Sequence, residues 1–164
     1  MREGKGSPRL LVVSRQRAVA YDHALLEVLL QAALPLCRRV ADELGGPLAG
    51  LPMVECSVLG RREMSRIHRE FLGLRGPTDV ITFPYGEIAI CAAVAAGRAP
   101  EFQHTITEEM ALYGIHGLLH LAGHDDHEPS AAKRMHIEQT RILQRVMKTE
   151  LRVEGLKRIG SSAE

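Results

Sequence analysis

Apolar and polar residues alternate with two different periods along this chain, and the switches between the periods mark out its elements. Leu10 to Ser14 is a short apolar run that reads as a first strand. After Asp22, an N-cap by residue type, Leu25, Leu26, Leu29, Leu30, Ala33, Leu36, Val40 and Leu44 recur at helical spacing. Pro35 falls inside that stripe and predicts a kink or a split. Gly45, Gly46 and Pro47 open a loop to about Pro52, and the alternation from Met53 to Leu59 predicts a second strand. Glu63 to Leu72 returns to helical period with Met64, Ile67 and Phe71 on one face. Val80 to Phe83 is a third strand, joined by Pro84, Tyr85 and Gly86 to a fourth, Glu87 to Cys91. So short a link favours an antiparallel pair, whereas the strand–helix order before it favours parallel pairing by crossovers.

Ala92 to Ala96 predicts a helical turn and Arg98 to Gln103 a loop. Thr105 or Thr107 can cap the next helix, where Glu108 and Glu109 put negative charge in the first turn. A last helix, roughly Ala131 to Leu151, turns Met135, Ile142, Leu143 and Val146 inward. Residues 1–8 and 154–164 read as flexible tails around a single domain, 9–153. The expected fold is α+β: a small four-stranded mixed sheet, three strands parallel and one antiparallel, packed with helices, with the chemistry on a late helix.

Composition narrows this picture. The chain has 164 residues, 45% hydrophobic and 25% charged, enough for one packed core. Aromatics are only 4% and Trp is absent, so aliphatic side chains must fill that core, and no aromatic platform for stacking bases is visible. A net charge of +1 neither requires nor excludes a nucleic-acid partner. Cys37, Cys56 and Cys91 lie far apart without metal-binding spacing, and the longest apolar run near the N-terminus, Leu10 to Val13, is too short for a signal sequence or a membrane span. The expectation is a reduced, cytoplasmic protein with no membrane partner and with its thiols packed as small hydrophobes.

The densest chemistry lies between His116 and His127, which reads His-Gly-Leu-Leu-His-Leu-Ala-Gly-His-Asp-Asp-His. His116 and His120 share one helix face, one turn apart. Gly123 suits a helix C-terminus, and His124, Asp125, Asp126 and His127 follow as possible ligands. A helical His pair with a third ligand returned by a turn suits one transition metal, and zinc is favoured for hydrolysis because it is redox-inert and leaves a position open for water. Gly117 stands where a His-Glu-x-x-His protease carries its general base, which counts against a protease. A glycine in mid-helix also suggests that another backbone or a substrate comes close there.

These residues resemble the YbeY family of bacterial metal-dependent endoribonucleases, whose signature is His-Gly-x-Leu-His-Leu-x-Gly-Tyr/His-Asp-His. Upstream, Gly76 to Pro84 is similar to the family's Pro-Thr-Asp-Val-Leu-Ser-Phe-Pro segment, and Gly86 to Ile90 to its Gly-Asp-Ile-x-Ile strand. The likeness runs from about Val54 to Ile142. It implies cleavage of single-stranded RNA in rRNA maturation, at the 16S 3′ end, and in ribosome quality control, with rRNA precursor and the ribosome or its small subunit as partners. It implies one Zn²⁺, or another divalent transition metal, on His116 and His120, with His116 at the centre of catalysis.

Two positions depart from the family pattern. Asp126 occupies the slot of the family's third histidine when no gap is allowed, and His127 is the alternative third ligand. Asp125 matches the family's aspartate and is expected to orient a ligand or close the turn, and His124 to pack or hydrogen-bond. Leu72 stands where many members carry a functional Arg, so Arg69 and Arg75 are the candidates to deliver that charge. Arg61, Arg62 and Arg66 are further candidates for holding an RNA backbone, and Arg15 and Arg17 weaker ones. The Thr78–Pro84 segment is sufficiently explained as a capped turn and a buried strand. Two alternatives to a ribonuclease stay open: a non-catalytic, metal-stabilised ribosome-assembly factor, and a zinc hydrolase of another substrate.

Overall fold

The computed structural model describes residues 8–161. Four strands, β1 (Arg9–Ser14), β2 (Met53–Leu59), β3 (Val80–Phe83) and β4 (Glu87–Cys91), form one sheet in the order β1-β2-β4-β3. Five α-helices accompany them: α1 (His23–Leu44), α2 (Arg61–Leu72), α3 (Ala92–Arg98), α4 (Ile106–Ala122) and α5 (Pro129–Ser161). The expected α+β fold with three parallel strands and one antiparallel is present, since β1, β2 and β4 run parallel and β3 opposes β4. The antiparallel strand is β3, and its short link to β4 is the antiparallel one expected. The chain after α2 passes over the slot beside β2 and takes the sheet edge. The tight turn through Pro84 and Tyr85 then folds β4 back between β2 and β3, with Cys56 opposite Ile88 and Ile81 opposite Ala89.

The sheet separates two clusters of buried side chains. On one face, Val12, Val54, Cys56, Val58, Ile88 and Ile90 meet Leu26, Leu29 and Leu30 of α1 and Ile115, Leu118 and Leu119 of α4, with Met135, Ile142 and Leu143 of α5 completing the same cluster. On the other, Met64 and Ile67 of α2 cover Leu59, Ile81, Ala89 and Cys91. Each of those fully buried leucines contributes about 1.5–3 kcal/mol, which is how so aliphatic a composition sustains a core.

Most predicted boundaries fall within a residue or two of the observed ones, with instructive exceptions. Helix α1 runs unbroken through Pro35, because Ala33, Leu34, Cys37 and Ala41 on either side are buried against the core and hold the helical path. Residues 99–102, expected as a loop, form a 3₁₀ turn. Helix α5 does not end near Leu151 but continues to Ser161, with Leu151 and Leu156 exposed. Its last turns are rich in Glu, Leu, Lys and Arg, which propagate a helix already nucleated by packing. The N-terminal tail expectation falls on residues 1–7, and the end of the C-terminal one on 162–164, both outside the described residues.

Two contacts set α4 in place. Thr105 is its N-cap, in a capping box: its hydroxyl accepts from the Glu108 N–H at 3.1 Å, while the Glu108 carboxylate accepts from the Thr105 N–H at 2.9 Å. Thr107, the other candidate, accepts from the Asp22 N–H at 2.9 Å and so ties α4 to the start of α1. Gly117 is where α4 crosses the sheet. A β-carbon there would stand 2.7 Å from Ile88 Cγ2 and 3.0 Å from Thr82 Oγ1. The glycine is needed for helix–sheet contact, and the partner that comes close is the protein's own sheet.

The three thiols are free and buried. Burial, reinforced by the negative charge of Glu138, pushes the Cys37 thiol up to about 12, and burial with Glu55 does the same for Cys56.

Two expectations follow from this packing. Gly117→Ala gains helix propensity but overpacks against Ile88, so denaturant unfolding should show a net loss of about 1–3 kcal/mol. The cysteines should resist thiol reagents at pH 8 until the chain unfolds. Because the folded thiols of Cys37 and Cys56 ionise higher than their unfolded value of 9.0, stability should be intact below pH 9 and fall as pH rises toward 12, readable in urea midpoints.

Candidate metal centre

Helix α4 is buried along most of its surface, and His116 and His120 mark the one strip that opens to solvent. Their spacing places the two imidazoles edge to face, with ring centroids 4.6 Å apart and planes at 83°. Beyond them α4 stops at Gly123, which is left-handed at φ 112° and donates its N–H to the His120 carbonyl, while the His124 N–H bonds the Leu119 carbonyl at 3.0 Å. Asp125 Oδ1 then accepts the His127 N–H at 2.7 Å and closes the turn, one of the two roles expected of it. The effect is to return Asp126 to the histidines: its Oδ2 lies 3.7 Å from His116 Nε2 and 3.6 Å from His120 Nε2.

Hydrogen bonding decides which ring nitrogens face inward. His116 Nδ1 donates to Gln139 Oε1 at 2.7 Å, and His120 Nδ1 donates to the His124 carbonyl at 3.1 Å. Both acceptors take a proton and cannot give one, so each ring carries a proton on Nδ1 and turns its Nε2 toward the other, 3.0 Å apart. Burial, then the neighbouring His116, holds the His120 pKa below the ordinary histidine value, against the opposing pull of Asp126. Two converging imidazole nitrogens with a carboxylate beside them are donors that could hold a metal ion. Two ligands of a tetrahedral zinc stand about 3.4 Å apart, given Zn–N of about 2.0–2.1 Å, and the observed edges of 3.0, 3.6 and 3.7 Å bracket that value.

Among the described residues, His116, His120 and Asp126 form one group able to hold a metal ion, and Asp125, Asp126 and His127 a second, fully exposed one. His127 therefore sits with the carboxylates of the turn, not with both imidazoles, although it lines the same cleft. That cleft encloses about 560 Å³ between the histidine turn, Pro47, the β3 residues Val80 to Thr82, Pro84 and Leu72.

A profile of the family described as endoribonuclease YbeY matches residues 15–147. This chain belongs to the YbeY family. It is 34% identical to an endoribonuclease YbeY of Mycolicibacterium gilvum, over 60% of this chain and 64% of that one, and 35% identical to that of Chlorobium luteolum, over 69% and 88%. The chain thus spans under two thirds of the length of its three Mycolicibacterium relatives. Its fold is similar to the solution structure of TM1509 from Thermotoga maritima, with a TM-score of 0.58 and 26% identity, covering 88% of this chain and 93% of that one.

In this YbeY chain the arginines stand apart from His116, His120 and Asp126. Leu72 lines the cleft, whereas Arg69 and Arg75 line a neighbouring groove of about 710 Å³ with Arg62 and Arg66. Arg66 is occupied by Glu63 and Glu70 at 2.8 and 2.9 Å, and Arg15 by Glu55 at 3.3 Å. His124 supplies its backbone carbonyl to His120, a contact that does not draw on its side chain. Gln139 was missed by sequence reasoning. Its signal was a polar residue on the apolar stripe of α5, four after Met135 and three before Ile142. It is 9% exposed, and its oxygen sets the tautomer of His116.

In Gln139→Leu nothing retains the proton on His116 Nδ1. Imidazole ¹⁵N spectra of the metal-free protein should show a single Nδ1–H tautomer for His116 in the parent and a mixture in the variant, with His120 unchanged.

Proposed function

We propose that this chain is a metal-dependent endoribonuclease that cuts single-stranded RNA, acting on rRNA precursors at the 16S 3′ end and in ribosome quality control, in the cytoplasm and against the small ribosomal subunit. The observation that carries this reading is the pair of Nε2 atoms 3.0 Å apart with the Asp126 carboxylate beside them, in a chain whose relatives are named endoribonuclease YbeY. His116, His120 and Asp126 would hold one Zn²⁺, an ion suited to two imidazoles and an oxygen.

When bound, the ion supplies Lewis acidity, which offsets charge gathering on the scissile phosphate and makes an attacking hydroxyl more acidic. The remaining work falls to the chain. Gln139 and the His124 carbonyl keep the Nδ1 protons in place, so that Nε2 is the atom each ring presents to the ion. Asp125 holds the turn that orients Asp126. Leu72, Val80 and Pro84 line the cleft with apolar surface that excludes water from the phosphate. Arg69 and Arg75 stand one groove away, where they grip backbone phosphates beside the cut rather than the reacting one.

The test is metal analysis by mass spectrometry beside cleavage of an unpaired RNA. The His116→Ala/His120→Ala double variant should stay folded and lose both metal and cleavage. Asp126→Ala should lose metal, and His127→Ala should keep it. A metal-free double variant that still cuts RNA refutes the proposal. RNA binding that survives metal removal, with no cleavage by clean parent protein, would instead identify a non-catalytic assembly factor.

A further inference from the structure

Three of the chain's six Phe and Tyr residues meet on one exposed surface. Phe83 stacks on Tyr85, with centroids 5.5 Å apart and planes at 22°, and takes the edge of Phe71 at 5.0 Å and 76°. Phe71 is 61% exposed and Tyr85 66%, so these two rings are presented, while the half-buried Phe83 seats them on the second core cluster. The Tyr85 hydroxyl donates to Glu87 Oε2 at 3.1 Å and holds that ring at the end of the series. In the sequence these residues sit on a helix, a strand and a turn, and only the placement of β3 at the sheet edge beside α2 brings them together. The sequence reading found no aromatic platform, and the fold assembles one.

Its position gives it a purpose. Leu72, next in the chain to Phe71, and Pro84, between Phe83 and Tyr85, both line the cleft that holds the histidines. The other side of α2 carries the arginine groove, where Arg62, Arg69 and Arg75 have no ionic partner among the described residues. An exposed aromatic face bordered by unpaired cations and opening onto a cation-binding cleft matches the surface by which proteins bind a single strand: rings for the bases, arginines for the phosphates. A folded protein partner would account for the apolar rings but not for the row of uncompensated arginines beside them.

We infer that Phe71, Phe83 and Tyr85 form a stacking platform for the unpaired bases flanking the scissile phosphate, while Arg62, Arg69 and Arg75 track the backbone. The inference rests on the ribonuclease reading and adds to it the group that selects unpaired RNA: bases in a duplex already stack on one another and offer no free face. Selection by base type is not expected, because every base has a stacking face.

The experiment measures anisotropy of the full chain with a labelled unpaired oligoribonucleotide and with an abasic ribose-phosphate strand of equal length. Tyr85→Ala and Phe71→Ala should each weaken binding of the base-bearing strand about tenfold and leave the abasic strand unaffected. Tyr85→Trp should restore or exceed parental affinity. Since the chain has no Trp, tyrosine emission of the unmodified protein should also fall on adding the oligoribonucleotide but not the abasic strand, a readout independent of how the variants fold. Parental affinity in both alanine variants, or equal binding of the two strands, overturns the platform and leaves a cleaving parent as a ribonuclease. A parent that binds no RNA overturns both readings. Self-association lost in Tyr85→Ala, with RNA affinity unchanged, assigns the patch to a second copy and overturns the inference.

Discussion

Everything at the candidate centre depends on how closely α4 lies against the sheet. Gly117 allows the helix to approach Ile88 of β4 and Thr82 of β3 to a distance that any side chain would block. That approach turns the next residue of each helical turn, His116 and His120, toward the gap between α4 and the β3 edge, where the cleft opens. The same crowding explains why a glutamate general base has no place at this position. A helix held on nearly all sides cannot rotate, so the two imidazoles keep their positions on the strip that faces the cleft.

The two Nε2 atoms, 3.0 Å apart, are oriented by groups that do not themselves enter the centre. Gln139 reaches from α5, and the His124 carbonyl from the turn after Gly123, each bonding an Nδ1 proton. Gly46 adds a second constraint: a β-carbon on it would overlap the backbone of Ala122 and Gly123, so the loop after α1 seats directly on the end of α4. The turn that delivers Asp126 is thus closed from within by Asp125 and supported from behind by another element. Metal ligands ordered by such outer contacts lose affinity when the contacts are removed, typically by 10–100-fold.

On the other side of the cleft, β3 and α2 perform a division of labour. Family members with an arginine where this chain has Leu72 would bring positive charge into the cleft itself. Here the cleft wall is apolar at that point, and the arginines sit one groove away on the same helix. The exchange moves positive charge out of the cleft and into the neighbouring groove. Two carboxylates, Glu63 and Glu70, neutralise Arg66 alone, so the groove keeps its net positive character.

How much of this was legible beforehand follows from the range of the interactions involved. Local periodicity marked the strands and helices, residue type narrowed the helix start to Thr105 or Thr107 and marked Gly123 as its end, and the i, i+4 spacing of His116 and His120 placed them on one face, because each of these is decided within a turn or two of chain. The sequence left open which strand opposes the others, since pairing between β2 and β4 depends on which slot in the sheet is free and not on either sequence. Gln139 meeting His116, Phe71 meeting Phe83, and Arg69 lying outside the cleft are contacts between residues far apart in the chain. The sequence by itself determined the elements, the donor atoms and the place where a helix must yield to a turn. Only tertiary packing decided which tautomer each imidazole holds, which carboxylate returns to them and which aromatic rings share a surface, because those are settled by side chains that the fold, and not the chain order, makes neighbours.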